Sequence, residues 1–210
     1  MIKRILLVVL IIILAIAGYV WYQFSHNKGG GFEGEQAQKL EIKSATPQFD
    51  AGIKNMMTAY FTMKDAFVNA DTAAAKAACT TLIKSIDSVK LDELKKDTSG
   101  LVTTIQPLIG DVQANAISIL AQPNITEMRK DFHQVNQQLF SLLKAINYKG
   151  EKIYWEVCPM AFDGDKEAYW LDTKSGAARN NPYLGKKDPT YGSGMLNCGE
   201  DKDSIMAKSK

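Results

Sequence analysis

Hydrophobic residues between positions 53 and 146 recur at helical spacing in four runs. In the first, Ile53, Met56, Met57, Tyr60, Phe61, Phe67 and Val68 share one stripe. Asp71-Thr72 offers an N-cap to the second, an alanine-rich run striped by Ala75, Ala78, Cys79, Leu82, Ile83 and Ile86. A polar stretch over 92–99 separates it from the third, where Leu101, Ile105, Leu108, Val112 and Ile119 form one face. Pro107 inside that run predicts a kink or a late start, because proline lacks a backbone donor and crowds the preceding turn. Asn124, with Glu127 three residues on, reads as a capping box for the fourth. Its stripe of Met128, Phe132, Val135, Leu139, Leu142 and Ile146 steps by alternating fours and threes, and Asn147 and Gly150 close it. Four amphipathic helices with short connections predict an antiparallel four-helix bundle over 49–149.

The period changes after Gly150. Ile153, Trp155 and Val157 alternate with Lys152, Tyr154 and Glu156, the two-residue period of a half-buried strand. Asp163-Gly164 supplies a turn, and 168–171 returns as a second short strand. Gly, Asn, Pro and Tyr dominate the rest. The expectation for 150–200 is an irregular lobe of the same domain containing a short β-hairpin. For 201–210 it is a polar tail that frays. The fold class is mostly α.

The N-terminus bears on location. Lys3 and Arg4 precede an apolar run over 5–22, about the length that crosses a hydrocarbon core as a helix. Trp21 and Tyr22 suit the membrane interface, and the leading positive charges orient the rest of the chain outward. Residues 1–25 therefore read as a membrane anchor in the lipid bilayer. The alternative is a cleavable signal peptide ending near Ala15-Ile16-Ala17. Both readings export the chain, so the expected location is a bacterial inner membrane with the domain on the periplasmic side. Residues 26–48, with Gly29-Gly30-Gly31, read as a flexible linker.

Composition narrows the classes. Hydrophobic residues make up 46% and charged residues 23% of 210, the values of a globular chain. The net charge is only +2, and no basic cluster interleaves with aromatics, so no nucleic-acid partner is expected. No Gly-rich phosphate loop, G-x-S-x-G or H-E-x-x-H occurs, and catalysis is not expected.

The candidate chemistry is sulfur. Cys158-Pro159-Met160 places a thiol and a thioether two residues apart, and Met195-Leu196-Asn197-Cys198 repeats the pair in reverse order. Thiolate and thioether are ligands for soft cations such as Cu(I), so Cys158, Met160, Met195 and Cys198 form a candidate metal site. The same two cysteines outside the cytoplasm are also the material of a disulfide that would staple a small lobe. Both readings stand at this point. Zinc is disfavoured, because thioethers are not among its usual ligands. Thiol redox exchange is a weaker idea, because the C-x-x-C spacing that depresses a thiol pKa is absent.

Other residues invite the same chemistry. His133 lies at the edge of the fourth stripe and is an outside candidate for a nitrogen ligand, against an ordinary boundary histidine. His26 lies in the linker and reads as a solvated histidine. Cys79 falls on an apolar face and reads as a small buried hydrophobe. Met56 and Met57 read as core, and Met63 as a surface position.

The chain resembles a bacterial family of domains of unknown function, number thirty-three forty-seven. The residues that carry the resemblance are YFTMKDAFVNADTAAAKA over 60–77, then Cys158-Pro159-Met160-Ala161-Phe162 and Trp170-Leu171. Asn181-Pro182-Tyr183-Leu184-Gly185 and Met195-Leu196-Asn197-Cys198-Gly199 complete it. It spans roughly 50–200, and the C-terminal strings are its specific part. The family also occurs appended to periplasmic adaptor subunits of copper/silver efflux pumps, which implies a metal role and an efflux system as partner. Members often carry His before Cys-Pro-Met, where this chain has Val157. The expected function is a membrane-tethered extracytoplasmic soft-metal binding protein. The alternative is a structural or protein-interaction module of the cell envelope with a Cys158–Cys198 disulfide and no metal.

Overall fold

Side-chain caps set three of the four helix starts. Thr46 accepts from the Phe49 amide ahead of Pro47, Asp71 from Ala74, and Asn124 from Glu127. Each cap satisfies an amide that has no partner inside its helix. The helices are α1 Pro47–Val68, α2 Thr72–Asp87, α3 Leu101–Ala121 and α4 Ile125–Ala145. A 3-10 turn, Leu91–Leu94, precedes α3 and buries Leu94. The computed structural model describes residues 46–94, 100–162 and 164–205. The expected anchor at 1–25, the linker before 46 and His26 lie outside the described residues. Among the described residues, no helix is long and apolar enough to cross a membrane.

The stripes read from the sequence are the buried faces. Met56, Tyr60, Leu82, Leu101, Val112, Phe132, Leu139 and Leu142 are all fully buried. Each helix packs against the next, and aromatic contacts join α1 to α4, with Phe67 and Phe132 stacked at 4.4 Å. Pro107 sits within α3, which starts at Leu101 all the same, so the late start does not occur. Met63 is fully buried, not at the surface. At its C-terminus α4 ends in a left-handed turn at Asn147 (φ 48°). There the Asn147 and Tyr148 amides return to the Lys144 and Leu143 carbonyls.

The C-terminal part is more regular than a hairpin. Strands β1 Ile153–Phe162, β2 Lys166–Asp172 and β3 Glu200–Ile205 form one antiparallel sheet in the order β2-β1-β3. The expectation of a fraying tail from 201 on does not hold: Glu200–Ile205 pairs with β1 from Ile153 to Val157. The exposed, charged character of Glu200 to Asp203 is that of an edge strand with one face in solvent. Nothing in such a polar string signals strand from local pattern alone.

The outer edge of β2 is covered by side chains in place of a fourth strand. Its Tyr169 amide donates to His133 Nδ1 at 3.2 Å, and the Tyr169 carbonyl accepts from the Tyr183 hydroxyl. Its Leu171 amide donates to the Tyr60 hydroxyl at 2.9 Å, and the Leu171 carbonyl accepts from it at 3.2 Å. Asn136, fully buried on α4, accepts from Tyr60 at 2.5 Å and donates to Tyr183 at 3.0 Å. Four backbone groups at a buried sheet edge are thus satisfied by three residues. Apolar packing adds to this, since Trp155 of β1 stacks on Phe140 of α4 at 4.3 Å. A buried Lys64–Asp172 pair at 2.9 Å ties α1 to the end of β2.

Candidate soft-metal and thiol site

β1 positions the first sulfur string. Cys158 stands opposite Ala168 in the pairing with β2 and is fully buried. The register then slips between Cys158 and Phe162, where Pro159 cannot donate to a ladder. The second string lies in the loop before β3. There the Cys198 amide donates to the Met195 carbonyl at 3.0 Å, so Met195 and Cys198 share one tight turn.

Asn181 holds the two strings together. Its amide donates to the Leu196 carbonyl at 2.7 Å, and its side-chain NH2 donates to the Cys198 carbonyl at 2.9 Å. Its side-chain oxygen accepts from the Tyr183 and Leu184 amides, which folds the Asn181 to Gly185 turn. The same side chain also reaches the Cys158 thiol. Asn197 adds a bond to the Arg179 carbonyl at 2.7 Å. Gly199 follows with φ 144°, and a Cβ there would stand 2.8 Å from both the Trp170 ring and the Val157 carbonyl. Glycine is therefore required for the chain to leave Cys198 against the indole.

The 182–185 turn docks on the end of α1. Arg129 donates to the Pro182 carbonyl at 2.9 Å and to the Phe67 carbonyl at 3.3 Å. Burial lowers its pKa to about 10. Lys186 donates to the Val68 carbonyl, and Gly185 (φ 62°) would place a Cβ 2.5 Å from that oxygen. Gly185→Ala is expected to cost about 1–3 kcal/mol through this strain and clash. A denaturant midpoint unchanged from wild type would contradict it.

The result is a thiol pair. The Cys158 and Cys198 sulfurs lie 3.8 Å apart. Two thiolates on one tetrahedral ion at about 2.3 Å would stand about 3.8 Å apart, so the spacing suits a shared ion. It also lies within a side-chain rotation of the bond length near 2.05 Å that a disulfide needs. Burial pushes the Cys158 thiol up to about 11, and Cys198 adds to the shift; the Met160 amide and Asn181 pull the other way. A metal would have to displace that proton. Met160, Met195 and Cys198 are each half-buried and each pack against the edge of the core. No cluster of three or more His, Cys, Asp or Glu side chains fit for a metal occurs among the described residues.

His133 reaches the lobe, but its Nδ1 is occupied by the Tyr169 amide. Its ring lies among Phe162, Tyr169 and Tyr183, and burial lowers its pKa. It covers a sheet edge here. Cys79 is fully buried, donates to the Ala116 carbonyl at 2.9 Å, and has its pKa raised to about 12 by burial.

Sequence reasoning missed an ionic cluster beside the thiols. Strand period assigns Glu156 to solvent, yet it is fully buried. It shares the Cys158 face of β1, where the loop covers it. Arg179 Nε lies 2.8 Å from Glu156, while its other nitrogens donate to the Gly199 carbonyl and to Asp201. Burial and the Asp201 carboxylate push Glu156 up to about 8, against the pull of Arg179. A cleft of about 500 Å3 lies elsewhere, between Phe49, Ile53 and Met57 on α1 and the 146–151 segment; Cys158, Met160, Met195 and Cys198 do not line it.

Comparison with known proteins adds one finding. A family model described as protein of unknown function, DUF3347, matches residues 56–151. That segment is similar to this family. It runs from α1 to the connection before β1, so the DUF3347 match covers the helices. Cys158, Met160, Met195 and Cys198 lie beyond its end. No curated protein and no solved structure matches the chain.

Proposed function

We propose that the chain is an extracytoplasmic, membrane-tethered binding protein for a soft metal of the Cu(I) type, acting in metal efflux or homeostasis. The observation that carries this reading is the 3.8 Å approach of two thiols from strings 40 residues apart. Cys158 and Cys198 would be the thiolate ligands, with Met160 and Met195 as thioether neighbours. Cu(I) favours soft sulfur. A structural zinc site needs four N, S or O ligands, and no such cluster accompanies the pair among the described residues. The tether and the periplasmic setting rest on the N-terminal sequence, and the efflux partner on the family resemblance.

The same sulfur approach favours a second reading, a disulfide-stapled interaction module without metal. One preparation tests both. Reduced protein is expected to take up one equivalent of Cu(I) against a chromogenic chelator, and Cys158→Ser with Cys198→Ser to take up none. Unchanged affinity in the double variant would sink the metal reading. Alkylation in denaturant without reductant, followed by intact mass, counts free thiols in protein taken from the envelope. Only Cys79 remains to be labelled if the pair is joined, and three labels exclude the disulfide.

A further inference from the structure

We propose that the thiol pair is built in two unequal halves, and that exchange with an incoming thiolate runs through Cys198. This rests on the reading that the pair is a working site, whichever of metal or disulfide it holds. Cys158 belongs to the central strand, between β2 and the β3 side, and is fully buried. The Met160 amide and the Asn181 side chain hold its sulfur. Cys198 is half-buried, lies outside every strand, and shares its turn with half-buried Met195. Asn197, beside it, is exposed. Its turn is anchored by main-chain bonds, so the sulfur can move while the backbone stays.

Exchange at sulfur needs an approach to the atom that reacts, and access decides which thiol is attacked or attacks. For a bound soft ion, an incoming thiolate would bind the ion as the Cys198 thiolate leaves. Cys158 retains the ion until a second incoming sulfur replaces it, and no electrons are transferred. With an aromatic disulfide as probe, the Cys198 thiolate attacks one sulfur and an aryl thiolate leaves. Cys158 then attacks the Cys198 sulfur of the mixed disulfide and releases the second aryl thiolate. The two aryl thiolates carry the two electrons that the pair gives up, and the two thiol protons pass to solvent.

The test uses reduced full-length protein. With substoichiometric iodoacetamide and peptide mass mapping of wild type, Cys198 is expected to carry label at least about tenfold faster than Cys158. With 5,5′-dithiobis(2-nitrobenzoate), Cys158→Ser is expected to keep a stable adduct at Cys198, while Cys198→Ser reacts at least about tenfold more slowly. Wild type is expected to release two aryl thiolates and end with the pair joined. The wild-type mapping keeps the test decisive if either variant fails to fold. Equal or reversed labelling of Cys158 and Cys198 overturns the inference, even where Cu(I) binding is intact. Labelling of Cys198 first supports it, even where Cu(I) binding is absent and the metal reading has failed.

Discussion

Tyr60→Phe is expected to lower the free energy of unfolding by about 2–4 kcal/mol, although it removes a single oxygen. The ring keeps its place, stacked 6.0 Å from Phe132, so packing is conserved. What is lost is the hydroxyl that serves the Leu171 amide, the Leu171 carbonyl and the Asn136 side chain. All three groups are buried where water does not reach them easily, and an orphaned buried group costs about 1–3 kcal/mol. Urea denaturation followed by far-UV circular dichroism measures the change. A loss below about 0.5 kcal/mol would mean that the edge of β2 finds other partners. The expectation ties helix to sheet, because Tyr60 lies on α1 and Leu171 on β2.

Glu156→Gln is expected to flatten the fall in stability that wild type undergoes as pH rises from about 4.5 to about 8. In the folded protein the Glu156 carboxyl titrates at about 8, raised from 4.5 by burial and by Asp201. Between those values the folded state holds a proton that the unfolded state has released. The linked contribution is therefore complete below about pH 4.5 and is lost as pH rises through about 8. Glutamine keeps the neutral form at every pH. The two proteins should match near pH 5 and separate by up to roughly 4 kcal/mol at pH 9, with the variant the more stable. Denaturant titrations across that range give the difference directly. Curves that stay parallel would show that Arg179 keeps Glu156 charged throughout.

The two residues explain much of how the lobe is held. Tyr60, Asn136 and Tyr183 close one edge of the sheet, and Arg179 ties Glu156 on β1 to Asp201 on β3. The Cys158–Cys198 approach belongs to the same lobe. A backbone held this firmly would lower the cost of binding the proposed soft ion.

Local pattern determined the helices, because an amphipathic helix repeats its face every three to four residues and announces its own burial. The stripe from Met128 to Leu142 on α4 and the caps at Asp71 and Asn124 needed no partner to be read. The sulfur strings were legible for a related reason, since rare residue types leave marks in the chain itself. Tertiary structure alone decided three things. It recruited 200–205 as a third strand, because an edge strand with a solvent face needs no apolar alternation. It buried Glu156, because the loop that carries Arg179 covers the face that strand period assigns to water. It brought Cys158 to within 3.8 Å of Cys198, because Asn181 bonds both strings, and a contact across 40 residues is written in no local period.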